Sequence, residues 1–205
     1  MKEKWNERYG EEKFAYGKEP NVFLKETLIR LNPTGRALFP AEGEGRNAVF
    51  AASLGFETFA FDISIEGKKK AISLANERNV KINYEVGKFE ELELFDKKFD
   101  LVVLIYAHFP PPVRKKYFQK FIEMLNPGGF VILEAFSISN LEYRINNPDI
   151  GGPPVEDLLY TTEIIEKEFA DLKTILLEEI EIVLSEGLYH NGKGKVIRYI
   201  GKKEM

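Results

Sequence analysis

The sequence predicts an α/β protein built on a mostly parallel sheet of about seven strands, with helices on both faces and an antiparallel pair at one edge. From Arg36 onward, short apolar runs alternate with longer segments of helical period, a pattern typical of βαβ units. The runs LVVLI and FVIL are uninterrupted, as expected for strands that are covered on both faces. Near the end of the chain, two long runs flank a turn-forming segment, which predicts a hairpin.

The individual elements follow from the same patterns. Up to the hairpin we expect, in chain order, a strand at 36–40, a helix at 46–54, a strand at 57–61, a helix at 65–78, strands near 82–86 and at 99–106, a helix at 113–125, a strand at 129–136 and a helix at 162–169. The hairpin joins TILLEEIEIVL to KVIRYI through SEGLYHNGKG, whose Gly and Asn residues favour a turn. The irregular stretch 137–154 is long enough to be a substrate loop.

Length and charge limit the organisation and the partners. At 205 residues the chain fits one domain, 1–205, and is too short for a nucleotide domain plus a separate substrate domain. The net charge of -4 argues against a nucleic-acid partner, because phosphate neutralisation needs clustered Lys and Arg. The basic run Lys68-Lys69-Lys70 is interpreted as a solvated helix face. We expect a monomer or homodimer.

Residue usage excludes several kinds of chemistry. The chain has no Cys, which excludes disulfides, thiolate metal sites and a Cys nucleophile, and with two His a protein metal site is not expected. The N-terminus lacks an apolar signal core, and no run approaches the roughly 18 apolar residues of a membrane span. A cytoplasmic location is therefore expected.

The segment between the first strand and its helix carries small residues at every second position: Ala41, Gly43 and Gly45. Such residues let a backbone turn sharply and approach a ligand closely. Ligands of open parallel sheets bind beyond the carboxyl ends of the strands, and N–H groups at a helix start favour an anionic group. Because Gly43-x-Gly45-x-x-Ala48 also fits the dinucleotide fingerprint, NAD and S-adenosylmethionine both remain candidates, with an ordinary tight turn as the alternative.

Asp62 ends the second strand about 20 residues after the glycines, where an acid can accept both hydroxyls of a ribose. Both candidate cofactors contain that ribose. An Asp after a strand is also a good helix cap, which is the structural alternative.

Several motifs together carry a family resemblance: WNERYGEEKFAYGKEPNVFL, GEGRNAVFAA, FDIS, FDLVV, LNPGGFVILEAF, GGPP and EGLYHNGKGKVIRYIGKK. The chain resembles class I S-adenosylmethionine-dependent methyltransferases, and within them the small tellurite-resistance and thiopurine-methyltransferase-like group. The resemblance implies a Rossmann-like fold with strand order 3-2-1-4-5-7-6, the last strand antiparallel, and S-adenosylmethionine as cofactor. Three positions depart from the family pattern: Phe39 replaces a common acid, Ala41 the first glycine, and Lys88 a common Asp.

The resemblance also implies a set of cofactor-binding residues. Ala41, Glu42 and Gly43 would line the methionine part, Asp62 the ribose, Ile63 and Phe89 the adenine, and Tyr106 the wall after the fourth strand. Arg46 and Asn47 would position the loop, whereas Glu44 is expected to be exposed. The complete set adds Gly45, Ser64, Lys88, Glu90, Tyr16 and Gly17.

The N-terminal residues 1–34, here called the lid segment, would cover the cofactor and contain the first helix, which PNVFL opens with Pro20 in a favourable early position. The resemblance places Trp5, Tyr9, Tyr16 and Gly17 near the methyl donor, with Trp5 and Tyr9 also toward the substrate. Aromatic faces suit a sulfonium cation. The alternative is that these aromatics simply pack on the sheet.

Methyl transfer from a sulfonium is an in-line displacement that removes charge, so alignment and exclusion of water can supply most of the catalysis. After the fourth strand, methyltransferases of planar nitrogens carry Asn-Pro-Pro-aromatic, whereas this chain reads YAHFPPP. We therefore expect a small-molecule acceptor, favouring a thiolate or a metalloid oxyanion. A non-catalytic binding module and an NAD(P)-dependent oxidoreductase remain the alternatives.

Four further residues are candidates for catalysis or for substrate binding. His108 is the candidate base, because it follows the fourth strand and His titrates near neutrality; packing against a backbone carbonyl is its alternative role. His190 is expected in the hairpin turn with a structural role. Arg114 and Arg144 could pair with an anionic substrate, with helix capping as the alternative for Arg114.

Overall fold

The computed structural model of the protein describes residues 1–94 and 97–205. It contains a seven-stranded sheet of order β3-β2-β1-β4-β5-β7-β6, in which β7 runs antiparallel to both of its neighbours and the other pairs are parallel. This arrangement confirms the predicted fold class. The strands are β1 (Arg36–Pro40), β2 (Glu57–Asp62), β3 (Asn83–Val86), β4 (Phe99–Ile105), β5 (Leu125–Phe136), β6 (Lys173–Glu186) and β7 (His190–Lys202).

Helices cover both faces of the sheet. They are α1 (Lys2–Gly10), α2 (Val22–Leu31), α3 (Arg46–Ser53), α4 (Ile65–Glu77), α5 (Pro111–Met124), α6 (Asn140–Asn146) and α7 (Thr162–Glu168), with short 3-10 turns at Phe89–Glu91, Pro148–Ile150 and Glu156–Leu158. Neighbouring residues of β1 face opposite sides, as strand geometry requires: Leu38 packs in the core beneath α5 and α7, and Phe39 in the core beneath α2 and α3.

Several element boundaries differ from the sequence prediction. Helix α1 was not expected, because KEKWNERYG is polar and only Tyr9 of it is buried. Strand β5 starts at Leu125 rather than 129, because Leu125 already pairs with Phe99 before the register shifts. Helix α5 starts at Pro111 instead of 113, since proline is well tolerated in the first helical turn.

The C-terminal hairpin is longer than predicted. Strands β6 and β7 run to Glu186 and His190, which are paired across the hairpin, so the connection contains only residues 187–189. The prediction that His190 lies in the turn is therefore wrong: it is the first residue of β7, and it is buried.

Within the described ranges, no helix has the length and apolar character needed to cross a membrane. The same residues contain no cluster of three or more His, Asp or Glu side chains that could hold a metal ion.

Candidate active site

The loop between β1 and α3 turns through three residues in the left-handed region, Ala41 (φ 53°), Gly43 (φ 61°) and Gly45 (φ 83°). Side chains are excluded at two of these positions. A Cβ at Gly43 would lie 2.6 Å from the Tyr9 hydroxyl, and one at Gly45 would lie 2.5 Å from the Cβ of Ala71 on α4. The small residues therefore let the lid segment approach the loop at Gly43 and let α4 pack against it at Gly45.

Glu42 anchors the same loop to helix α3. Its Oε1 accepts hydrogen bonds from the backbone N–H groups of Asn47 and Ala48, both at 2.8 Å. Burial raises the pKa of Glu42 to about 7, although these N–H groups and Arg46 favour the charged form. The first N–H groups of α3 are thus satisfied by a carboxyl group of the loop itself.

Asp62 joins the carboxyl end of β2 to the glycine loop. Its Oδ2 accepts from the Gly43 N–H at 3.2 Å, and its Oδ1 accepts from the Ser64 N–H at 2.9 Å. Burial raises the pKa of Asp62 to about 6, and the backbone hydrogen bonds partly oppose this shift. The carboxylate proposed for the ribose therefore lies against the loop proposed for the methionine part.

The segment after β3 provides backbone rather than side chains to this edge of the sheet. The Phe89 side chain is 2% exposed and stacks on Phe61 at 5.5 Å, so it belongs to the core. Lys88 is exposed, and its N–H donates to the Glu91 carboxylate. The Glu90 carboxylate accepts from the Tyr117 hydroxyl. Ile63 lies between Asp62 and Ser64, and Ser64 caps helix α4 through Gly67.

Helix α1 of the lid segment lies over the glycine loop and the start of α4. Asn6 Oδ1 accepts from the Ser64 hydroxyl at 2.7 Å and from the Ile65 N–H at 3.1 Å. Tyr9 is buried, with its ring against Gly43 and Gly67, and Trp5 stacks on it at 5.3 Å. The predicted lid residues Trp5 and Tyr9 are therefore adjacent to the candidate cofactor loop.

A buried ion pair fastens the rest of the lid segment to this loop. Glu44 was expected to be exposed, but it is 4% exposed, and its two oxygens bind the Lys70 ammonium at 2.8 Å and the Ala15 N–H at 2.7 Å. Lys70 also donates to the Lys13 carbonyl, so the interpretation of Lys68 to Lys70 as a solvated face is wrong for Lys70. The Glu44 carboxylate and the Lys70 ammonium thus pair with each other, and each also forms a hydrogen bond with the backbone of the lid segment.

Arg46 connects three separate parts of the chain. Its Nη1 donates to the Tyr16 carbonyl at 3.1 Å and, more weakly, to the Glu19 carbonyl at 3.4 Å, while its Nη2 donates to Glu186 at 2.9 Å. The glycine loop, the lid segment and the C-terminal hairpin therefore meet at one buried guanidinium. Gly17 follows Tyr16 with a positive φ and lies against Gly187 of the hairpin connection.

The end of β4 contributes Tyr106, which has a left-handed φ of 52°. Its hydroxyl donates to Glu134 Oε1 at 2.9 Å, and the same carboxylate binds Asn21 and Arg198. The backbone N–H of Asn21 in turn donates to Oδ1 of Asn47 at 2.9 Å. The buried Glu134 thus links Tyr106 to helix α2 and, through it, to Asn47 of the loop.

His108 is partly buried beyond Tyr106. Its Nδ1 is 2.7 Å from the Leu158 carbonyl oxygen, which only accepts, so Nδ1 carries the proton. Its Nε2 is buried and has no hydrogen-bond partner among the described residues. Burial lowers the pKa of His108 to about 4.

The two candidate substrate arginines have structural partners. Arg114 is buried, and its Nε lies 3.3 Å from Glu168 on α7, rather than capping its own helix. Arg144 donates to the carbonyl oxygens of Pro148 and Gly151, at 3.3 and 3.4 Å, and so shapes the predicted substrate loop.

Glu186 and Glu134 are two residues of this region that the sequence did not reveal. Each binds an arginine far away in the chain, Arg46 and Arg198 respectively, and no local motif marks such a pair. A polar residue inside an otherwise apolar strand was the available signal for Glu134, in FVILEAF.

Comparison with known proteins agrees with this geometry. Residues 40–129 match the family described as "Methyltransferase domain". A "Probable thiol methyltransferase 2" of Arabidopsis thaliana is 33% identical over 60% of this chain and 53% of its own length. The chain thus spans about half the length of this curated relative.

Solved structures show the same fold. The structure titled "Conversion of a Disulfide Bond into a Thioacetal Group during Echinomycin Biosynthesis" aligns with a TM-score of 0.78 at 15% identity, covering 100% of this chain and 92% of that one. TehB from Haemophilus influenzae aligns with a TM-score of 0.69 at 14% identity, over 90% of this chain and 62% of that one.

These findings place residues 40–129 in the methyltransferase domain family. The family match over residues 40–129 and the shared fold agree with the predicted class, a class I S-adenosylmethionine-dependent methyltransferase. The narrower tellurite-resistance and thiopurine-methyltransferase-like group has only the thiol methyltransferase relative in its favour.

Proposed function

We propose that the protein is an enzyme that transfers the methyl group of S-adenosylmethionine to a small-molecule acceptor. The observation that carries this proposal is the contact between Asp62 and the left-handed glycine loop. A carboxylate at the end of β2 and a side-chain-free backbone at Gly43 lie 3.2 Å apart, at the carboxyl edge of the sheet. That edge is where an open parallel sheet binds its ligand.

The proposed cofactor site uses both the loop and the lid segment. The ribose hydroxyls would donate to Asp62 in place of the Gly43 N–H, while the backbone from Ala41 to Gly43 would pass beneath the methionine part. Ile63 and the backbone at Lys88 and Phe89 would flank the adenine, and Tyr16 with Tyr106 would close the site beside Arg46. S-adenosylmethionine supplies an electrophilic methyl group on a sulfonium, and the lid segment over the loop would exclude water.

We propose a soft nucleophile, a thiol or a metalloid oxyanion, as the acceptor. The thiol methyltransferase relative supports a sulfur acceptor. The rings of Tyr16, Tyr106 and Phe136 provide a polarisable, largely apolar setting that suits sulfur. The lack of the Asn-Pro-Pro-aromatic sequence after β4 and the net charge of -4 support a small molecule rather than a nucleic acid. A cytoplasmic location and a monomeric or homodimeric state stay predictions.

An acceptor panel tests this proposal. Purified protein with S-adenosylmethionine is given an alkyl thiol, tellurite, a phenol or a primary amine, and formation of S-adenosylhomocysteine is measured. We expect turnover with the thiol or with tellurite at least about tenfold above that with the phenol or the amine, since sulfur and tellurium are the better nucleophiles toward a sulfonium. Turnover with the amine alone would contradict the proposed acceptor class, and cofactor binding without any turnover would favour a non-catalytic module.

A further inference from the structure

The second histidine forms a dyad with a carboxylate across the hairpin. His190 Nδ1 lies 3.0 Å from Glu186 Oε2, and the two side chains are 5% and 12% exposed. Because a carboxylate only accepts hydrogen bonds, the proton of a neutral His190 lies on Nδ1 and its lone pair on Nε2. No hydrogen bond of Nε2 occurs within the described part of the chain.

The carboxylate of this dyad is fixed by a second partner. Glu186 Oε2 also accepts from Arg46 Nη2 at 2.9 Å, so the oxygen that orients His190 is itself oriented from the glycine loop. Burial alone would raise the pKa of Glu186, but the hydrogen bonds and charges of His190 and Arg46 lower it to about 2. Glu186 is therefore ionised at neutral pH and can stabilise an imidazolium at His190.

The dyad lies at the carboxyl edge of the sheet, beside the proposed cofactor site. The His190 ring is 4.3 Å from that of Tyr16 on the lid segment, 4.6 Å from that of Tyr106 after β4, and 5.3 Å from that of Phe136 at the end of β5. On its Nε2 edge it faces Gly151 of the predicted substrate loop, where a Cβ would lie 3.0 Å from Nε2. The loop thus places no side chain against that nitrogen.

The other histidine is less suited to accept a proton. His108 has a backbone carbonyl as its Nδ1 partner, and burial and the positive charge of Arg114 oppose its protonation. Its pKa of about 4 makes it a weak base at neutral pH. A carboxylate partner is what distinguishes His190.

We propose that His190 is the general base that deprotonates the acceptor, with Glu186 and Arg46 as positioning residues, and this inference rests on the proposed function. A thiol acceptor donates its S–H proton to Nε2 while a sulfur lone pair forms the new bond to the methyl carbon. The bond from that carbon to the sulfonium breaks, and its electron pair remains on S-adenosylhomocysteine. The proton stays on His190 until it is released to solvent.

The groups that face His190 set its titration. Burial lowers the pKa of His190, the ionised Glu186 raises it, and the positive charges of Arg46 and Arg8 lower it. The tyrosine hydroxyls of Tyr16 and Tyr106 stay neutral near pH 7, since burial raises the pKa of each. His190 is thus neutral at neutral pH and able to accept a proton.

The test compares two thiols, of which only one needs a base to become a thiolate at neutral pH. An alkyl thiol such as 2-mercaptoethanol, with a pKa near or above the value of about 8.5 for a free cysteine, is mostly protonated at neutral pH. The acidic 4-nitrothiophenol is already a thiolate. For His190→Asn we expect kcat/KM with the alkyl thiol to fall about 100-fold, whereas kcat/KM with the aryl thiolate stays within about threefold.

The pH profile and a matched variant complete the experiment. For His190→Asn the rate with the alkyl thiol should rise about tenfold per pH unit, following the thiolate fraction, and approach that of the wild type at high pH. For Glu186→Gln we expect a smaller decrease in kcat/KM with the alkyl thiol, again without a comparable decrease with the aryl thiolate. Glu181→Gln, on the same strand but partly exposed and paired with Lys193, is the control and should leave both rates unchanged.

The outcomes separate the two proposals. A preserved affinity for S-adenosylhomocysteine shows that each variant is folded. If kcat/KM falls equally with both thiols in a variant that binds S-adenosylhomocysteine normally, the proposed role of His190 is overturned, whereas the proposed function is not affected. No turnover of either thiol by the wild type would overturn the proposed acceptor, and the inference with it.

Discussion

Two carboxyl groups lie beside the glycine loop, those of the partly buried Glu42 and the buried Asp62, and burial raises the pKa of each, to about 7 and about 6. Both are satisfied by backbone N–H groups of the same loop or its flanks. Such buried acids cost stability in their charged form, and they shape a loop that is ready to bind a ligand.

Glu42 gives a testable pH dependence of stability. The pKa of Glu42 in the folded protein is about 7, and its ordinary value is 4.5. The contribution of Glu42 to the free energy of unfolding is therefore fully present below pH 4.5 and is lost as the pH rises through 7. Between these limits the wild type should lose about 3 kcal/mol from this group. Glu42→Gln keeps an oxygen for the N–H groups of Asn47 and Ala48, so it should be more stable than the wild type at pH 8 and similar at pH 5.

Urea unfolding at the two pH values measures this difference. Glu57→Gln, which removes a half-exposed carboxylate paired with Arg36, is the control and should shift stability alike at both. If Glu42→Gln destabilises the protein equally at pH 5 and pH 8, the burial of a chargeable group at this position is not what limits stability.

At the residue scale, the sequence revealed what is local and missed what is distant. Asp62 and the small residues of the loop could be predicted, because spacing within one βαβ unit brings them together. The dyad could not, because Arg46 and Glu186 lie 140 positions apart and Glu186 meets His190 only once the hairpin pairs in its observed register. For Glu44, a polar residue in a loop predicts exposure, but the lid segment covers it.

At the scale of elements, helix α1 and the C-terminal hairpin differ most from the sequence prediction, because α1 was not predicted and the hairpin strands are longer than predicted. The composition of α1 is polar because most of its surface faces solvent, so no apolar period marks it. Its position depends on tertiary contacts, those of Asn6 with the start of α4 and of Tyr9 with Gly43. The strand pairing of the hairpin continues through Gly192 and Asn191, residues that favour turns when considered alone.

The lid segment depends on the ion pair between Glu44 and Lys70. In Lys70→Met the buried Glu44 loses its cation and the Lys13 carbonyl loses a donor, so the lid segment should open more often. Hydrogen exchange of the Ala15 amide, which donates to Glu44, should become at least about tenfold faster.

Lys69→Met is the matched control for the lid, because Lys69 is exposed and, among the residues that the structure describes, forms an ion pair only with Glu66 on its own helix. It should leave the exchange of Ala15 unchanged. Equal protection of Ala15 in the two variants would show that Lys70 does not hold the lid segment.

At the scale of the whole molecule, the sheet was the most predictable part. Apolar runs separated by helical segments predict parallel strands, and the family resemblance supplied their order, which the structure confirms. The alternation of Leu38 and Phe39 between the two cores shows why both faces of β1 had to be apolar. Phe39, which replaces the acid common at this position, is fully buried, and so serves the core.

Whether this fold binds S-adenosylmethionine at the glycine loop is tested most directly by calorimetric titration of the purified protein with S-adenosylmethionine, S-adenosylhomocysteine and NADH. We expect micromolar binding of the first two, corresponding to about -8 kcal/mol, and none of NADH. Asp62→Ala should abolish that binding, whereas Asp100→Ala, at the opposite end of the sheet, should leave it unchanged. Binding of NADH alone, or of none of the three, would contradict the methyltransferase account.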